Sequence, residues 1–395
     1  MYDKDAPEIG PAQHPGFDHF PPGSSQFIDH PSHAKPGIHV FPDKLHVVTV
    51  IENPLRWRSR YWNYNLFEAM VERAGAILYT VEIAFGDRAF EVTRPGHPRQ
   101  LQLRTTDELL HKENALNLGV AGLLPRDWKK VAWLDADVQF QRPDWAQETL
   151  HLLEHYKVLQ MFSHALDLGP QSEPLDMNES FISHELSIDP PHLPQTPAAR
   201  TERRRKKCCK CPDCPCCPCH DPYGPSGGGK LHHPGLAWAM RREAWDAVGG
   251  LMDQIMGGSA DHYMALALFN LIAEKKNETK GYRYLNIHDF PEGYKRPVLE
   301  WQHRAERFIR RNVGVMPGLI THYWHGPKQK RQYLVRAKFL AQMGFNPIHD
   351  LKRDWQGLWQ LHDDGSPRSI KLRDGLRVYS RLRDEDSNEA QKWNV

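Results

Sequence analysis

The chain reads as an α/β protein built on a Rossmann-like, mostly parallel sheet. Three observations predict this. Short β-branched and aliphatic runs alternate with amphipathic helical stretches from residue 45 to about residue 162. Strand–helix–strand alternation implies right-handed crossovers, and these cover both faces of a parallel sheet. One apolar run, Val131-Ala132-Trp133-Leu134, stops abruptly at Asp135-Ala136-Asp137, as a buried strand does on leaving the core.

The elements follow in order. Leu45-His46-Val47-Val48-Thr49-Val50-Ile51 predicts a buried first strand. Tyr61, Tyr64, Phe67, Met70 and Val71 recur at helical spacing over 60–74, and Gly75 stops them. A second strand spans 76–85. Thr106 and Asp107 suit the start of a helix that runs to about Leu124, before Pro125. Strands at 131–134 and 158–162 flank a helix at 145–156. Helical signals return at 241–248 and 260–275. The expected organisation is a Pro- and His-rich arm over 1–43, an α/β half over 44–165 and a long insertion over 166–230. A second half over 231–340 and a C-terminal extension over 341–395 complete it.

Composition bounds the function. The 395 residues are 40% hydrophobic and 25% charged, an ordinary globular balance. Lys+Arg 51 against Asp+Glu 49 leaves a net charge of +2, so no global field demands nucleic acid or membrane. No stretch reaches the roughly 20 apolar residues of a spanning helix. The first residues lack the basic start and apolar core of a secretory signal. The expectation is a soluble cytoplasmic protein.

Chemistry concentrates in a few places. Asp135 and Asp137 would stand at the carboxyl end of a strand, where open α/β sheets bind ligands. Two carboxylates so close repel unless a cation lies near them, and hard oxygen ligands suit Mg²⁺ or Mn²⁺. On local grounds, Asp135 equally suits a turn that caps the next helix. Asn117 falls on the apolar stripe of its helix, so its amide needs either a ligand or a backbone partner. Residues 320–333 combine His322 and His325 with Lys328, Lys330 and Arg331; the alternative there is an aromatic core strand with a surface histidine.

Taken together, these pieces resemble a known family. Lys112-x-x-Ala-Leu-Asn117-x-Gly119, followed by a strand ending Leu-Asp-Ala-Asp, resembles the nucleotide-sugar half of inverting GT-A glycosyltransferases. The resemblance resumes in Gly235-Leu-Ala-Trp-Ala-Met-Arg-Arg-Glu-Ala-Trp245, a segment that in the family runs from a glycine through a basic helix. It continues in Val248-Gly-Gly-Leu251 and Ser259-Ala-Asp261-His262, where the family usually has Glu-Asp instead of Ala260-Asp261. The His-x-x-His-Gly-basic ending is similar to phage-encoded glycosyltransferases, which would place the protein in a host cytoplasm.

The resemblance implies a GT-A-like fold and transfer of a sugar from a nucleoside diphosphate donor to an acceptor hydroxyl. It implies that Asp135, Asp137, His322 and His325 hold Mn²⁺ or Mg²⁺, and that Asp261 is the general base. Thr49, Asn53, Arg56, Lys112, Asn117, Asp135, Lys328 and Arg331 would bind the donor. Glu52 lies in the same first-strand stretch, and Glu82 or Asp87 could meet the base or ribose.

Two features stand apart. All seven cysteines lie between Cys208 and Cys219, so no bridge can tie distant elements together. Their x2 spacing makes Cys208, Cys211, Cys214, Cys217 and Cys219, with His220, candidate Zn²⁺ ligands; a low-complexity loop is the alternative. The five cations Arg203–Lys207 and those between Arg304 and Lys338 suggest a polyanionic acceptor, such as hydroxymethylated DNA. A non-catalytic zinc and nucleic-acid binding protein, or a nucleotidyltransferase, are the alternative functions.

Overall fold

The computed structural model describes residues 43–188, 232–272, 274 and 286–386. The arm, the Arg203–Lys207 run, the cysteine cluster and His220 lie outside them.

Strand β1 (His46–Glu52) sits near the middle of the main sheet, with Val47 and Val48 fully buried. Its β-branched run suits a strand covered on both faces. It pairs in parallel with β2 (Ile77–Phe85) on one side and β4 (Lys130–Leu134) on the other. Helix α1 (Arg58–Arg73) connects β1 to β2, and β3 (Gln100–Thr105) adds a parallel edge beyond β2. The chain then crosses back through α2 (Lys112–Leu123) to β4. The order of connection therefore reverses between β1 and β4, which opens a crevice at their carboxyl ends.

Seven strands form the main sheet in the order β10-β6-β9-β4-β1-β2-β3. Here β6 is Val158–Gln160, β9 is Ala237–Arg241 and β10 is Val313–Val315. Strand β9 runs antiparallel to both neighbours, the one reversal in a largely parallel sheet among the described residues. The helix expected at 241–248 is present as α5 (Arg242–Val248), directly after β9. Trp133 and Trp238 stand opposite in the β4–β9 register and stack with ring centroids 6.4 Å apart. Trp245 closes edge-on over Trp133.

A second sheet, ordered β5-β11-β7-β8, was not expected. It comprises β5 (Val138–Phe140), β7 (His164–Leu168), β8 (Pro174–Glu179) and β11 (Leu319–His322). Residues 164–188 thus carry regular structure, ending in α4 (Phe181–Ile188), where an irregular insertion was predicted. The helix expected from Thr106 begins only at Lys112. Thr105 Oγ1 accepts a bond from Asp107 N, and Asp107 Oδ2 accepts one from Leu361 N, so these residues shape a turn rather than a cap.

The remaining longer helices among the described residues are α3 (Trp145–Leu152), α6 (Ala260–Leu268), α7 (Glu292–Arg304), α8 (Tyr333–Gln342) and α9 (Pro367–Leu382). A hairpin of β12 (Leu351–Arg353) and β13 (Trp359–Leu361) packs by α2, where buried His111 bridges Glu52 and Trp359 O. Beyond α9 the chain returns to the start of α1. Arg58 N and Ser59 N donate to the Asp386 carboxylate at 2.7 and 3.0 Å, and Arg60 grips Glu385 with two bonds of 2.8 Å. Among the described residues, no helix is long and apolar enough to cross a membrane.

Candidate active site

Strand β4 leaves the main sheet at Leu134, and three residues later the chain enters the second sheet as β5. Asp135 and Asp137 lie on this bridge. Asp135 N donates to Leu236 O at 2.8 Å, and Tyr323 N donates to Asp137 O at 2.8 Å, so both ends of the motif are fixed by backbone. The register of β5 with β11 sets Val138 opposite His322, one residue from Asp137.

Three side chains converge there. Asp137 Oδ2 lies 2.8 Å from His325 Nδ1 and 3.7 Å from His322 Nε2. These ligand atoms lie within 4.8 Å of one another, a spacing a metal ion can bridge. Behind them, buried Asp167 on β7 takes His322 Nδ1 at 2.7 Å and is itself held by Asn178 Nδ2 at 2.9 Å. That contact turns His322 Nε2 towards Asp137, the carboxylate–histidine arrangement that orients metal ligands. Asp137 Oδ1 is buried without a hydrogen-bond partner among the described residues. A buried polar atom left this way is costly, so a cation beside it fits the donor set.

The charges are divided accordingly. Burial works against the Asp137 charge, but His325 and His322 hold it well below the usual carboxylate range. Burial also disfavours the His322 charge, yet Asp137 and Asp167 raise it to about 9. His325 goes the other way, down to about 3, through burial and the nearby Arg331 charge.

Asp135 is not brought into this trio. Its carboxylate pairs with Lys112 Nζ at the start of α2. Burial raises Asp135, against the pull of Lys112, and the Asp137 charge adds to the rise. Asp261 lies on the other side of the 235–236 segment, in the first turn of α6; a Cβ on Gly235 would meet its Oδ2 at 2.5 Å. Gly258 and Ser259, both at positive φ, turn the chain into that helix. For Ser259 this backbone is strained, of a kind that collects at functional sites. Glu113, next to Lys112, completes the cluster. Burial pushes it up to about 8, with the Asp261 charge adding to the rise. Neither Glu113 nor Asp167 was anticipated; their partners are distant in sequence, and only the Lys112 motif beside Glu113 gave a local signal.

Several expected donor ligands also have partners within the fold. Thr49 is fully buried and donates to Leu134 O at 2.8 Å, tying β1 to β4. Asn53 closes its own loop, with bonds to Trp57 O and from Trp57 N. Arg56 pairs with Glu91. Asn117 exchanges bonds with the Leu251 backbone at 3.0 and 2.9 Å, so the backbone-partner alternative holds. Glu82 accepts three backbone N–H groups from residues 91–93, Glu52 binds His111, and Asp87 is exposed. Arg331 is buried beside the His325 turn and donates to Gly326 O at 3.2 Å. The helical turn Lys328–Arg331 is present, but the Lys328 side chain lies outside the described ones. Of the other cations in the Arg304–Lys338 segment, Arg336 lies over the Tyr379 ring.

No protein-family profile and no curated protein matches the chain. Among solved structures it is similar to the catalytic domain of Drosophila beta1,4-galactosyltransferase 7 in complex with xylobiose. That likeness has 12% identity, a TM-score of 0.27, and covers 57% of this chain and 61% of that one. The chain therefore spans about three fifths of that relative's length. It is also similar to a protein described as a nucleotide-diphospho-sugar transferase from Desulfovibrio desulfuricans G20. There the identity is 10%, the TM-score 0.27, and the coverage 86% of this chain and 97% of that one. These values are too low to carry a function across.

Proposed function

We propose that the chain is a metal-dependent glycosyltransferase, moving a sugar from a nucleoside diphosphate to an acceptor hydroxyl. The observation that carries this reading is the Asp137–His322–His325 trio at the carboxyl end of β4, backed by Asp167. Those three residues would hold Mn²⁺ or Mg²⁺, with imidazole favouring Mn²⁺. The ion, when bound, would neutralise charge on the diphosphate leaving group.

The protein's own residues do the remainder. Asp261 accepts the proton of the acceptor hydroxyl as its oxygen bonds to the anomeric carbon. The bond from that carbon to the diphosphate breaks in the same step, and its electron pair leaves with the diphosphate. A single displacement inverts the configuration. Lys112 holds Asp135 in place and sets a fixed positive charge beside the crevice. Arg331, next to the His325 turn, adds a second.

The test is a screen of nucleotide sugars for Mn²⁺-dependent hydrolysis and thermal stabilisation, with Asp137→Asn alongside. One donor should stabilise the native chain only with the metal, and Asp137→Asn should lose both the metal dependence and turnover while still folding. Full activity in folded Asp137→Asn would sink the assignment.

A further inference from the structure

Among the described residues, one other set of metal-ligating side chains converges away from this site. Glu179 ends β8, His184 lies on α4, and His232 is where the described chain resumes after residue 231. Backbone bonds hold them together. His233 N donates to Glu179 O at 2.8 Å, and Phe181 N donates to His233 O at 3.0 Å. His232 is thereby fixed beside Glu179.

The side chains then share one focus. Glu179 Oε2 lies 3.6 Å from His184 Nδ1 and 3.6 Å from His232 Nδ1. Ser183 Oγ donates to the other oxygen, Oε1, at 3.0 Å, which leaves Oε2 turned to both rings. The two imidazoles lie nearly parallel, 12° apart with centroids 3.3 Å from one another, so one ring must turn about its Cβ–Cγ bond for both nitrogens to meet a shared ion.

A separation of 3.6 Å is past hydrogen-bond range. It is close to the edge of a metal tetrahedron: bonds of about 2.0–2.2 Å to nitrogen and oxygen put neighbouring ligand atoms about 3.4 Å apart. Two imidazoles with one carboxylate suit Zn²⁺ better than the hard cations Mg²⁺ or Ca²⁺. Each side chain keeps between a fifth and a third of its exposure, so water can reach a fourth position.

We propose that Glu179, His184 and His232 form a zinc site separate from the Asp137 trio. Its role is structural. The ion joins the β8–α4 corner to the chain entering at His232, just ahead of Gly235 and Leu236. Those residues touch Asp261 and Asp135, so the clamp steadies the floor of the crevice. The assignment does not depend on the transfer reaction.

The full-length chain carrying Asp137→Asn, stripped with a chelator, should be titrated with Co²⁺ and then Zn²⁺. Ions at this site should give a visible Co²⁺ band without thiolate charge transfer, and Zn²⁺ should raise Tm. Adding His184→Ala or His232→Ala should lower the stoichiometry by one ion per chain and remove both signals. Glu179→Gln keeps an acceptor for Ser183 and serves where a histidine variant fails to fold; it should weaken the same band. Unchanged stoichiometry and spectrum in the folded variants overturn the proposal. So does binding that appears only as thiolate charge transfer.

Discussion

Asp167 decides which nitrogen of His322 faces Asp137, although it stands behind the site. Asp167→Asn should keep the fold, since Asn178 can still reach it, but lower Mn²⁺ affinity by about 10–100-fold. Calorimetric titration reads this, and unchanged affinity would remove Asp167 from the metal's support. Asp261→Asn should cut turnover by about 10²–10⁴-fold while metal-dependent donor affinity persists. If donor affinity collapses with it, Asp261 is a donor ligand or a helix-turn residue rather than the base. At this scale the sequence exposed Asp137, His322 and His325, because an acidic strand end and paired histidines are local patterns. Asp167 was not legible: its role exists only because the register of β7 with β11 sets it against His322.

The Gly249-Gly250 turn shows how an element reads differently once its neighbour is in view. Both glycines sit at positive φ, near +79° and +75°, and a Cβ on Gly250 would meet Asn117 Oδ1 at 2.7 Å. Asn117 and the Gly-Gly pair, two separate motifs in the sequence, are one device that pins the turn leading towards α6. Asn117→Ala should cost about 1–3 kcal/mol by leaving Leu251 N–H without its bond, with donor affinity unchanged. Denaturant unfolding beside donor titration separates the two effects; lost affinity at full stability would restore a donor role. The strands β1, β2 and β4 were legible because burial on both faces writes continuous apolar runs. The edge strand β3 was missed because only two of the six residues in Gln-Leu-Gln-Leu-Arg-Thr are apolar. Strand β9 was not anticipated, because Ala-Trp-Ala-Met-Arg has no β-branched residue and is equally good helix sequence. Its pairing with β4 and β6 decides otherwise.

Across the whole molecule, Glu385 is the buried acid of a clasp formed with Arg60 and Arg383. Burial opposes its charge, but the two guanidinium groups hold it down at about 2. A carboxylate depressed in the folded state stabilises the fold above its unfolded value and loses that contribution as pH falls towards the folded one. The window here is about pH 4.5 to 2. Glu385→Gln should lower stability at neutral pH by about 3–5 kcal/mol and flatten the acid limb across that window. Stability profiles against pH measure it; an unchanged acid limb would show that the clasp carries no linked protons.

The same clasp sets a clock on synthesis. Asp386 supplies the carboxylate for Arg58 N and lies 328 positions downstream. At about 5–20 residues per second, the ribosome takes roughly 15–65 s to make that stretch. For that interval the first helix is present without its anion, and Arg60 without Glu385. The nascent β1–α1 segment therefore has to survive as an incomplete body, with the loop before α1 still open to chaperones or proteases.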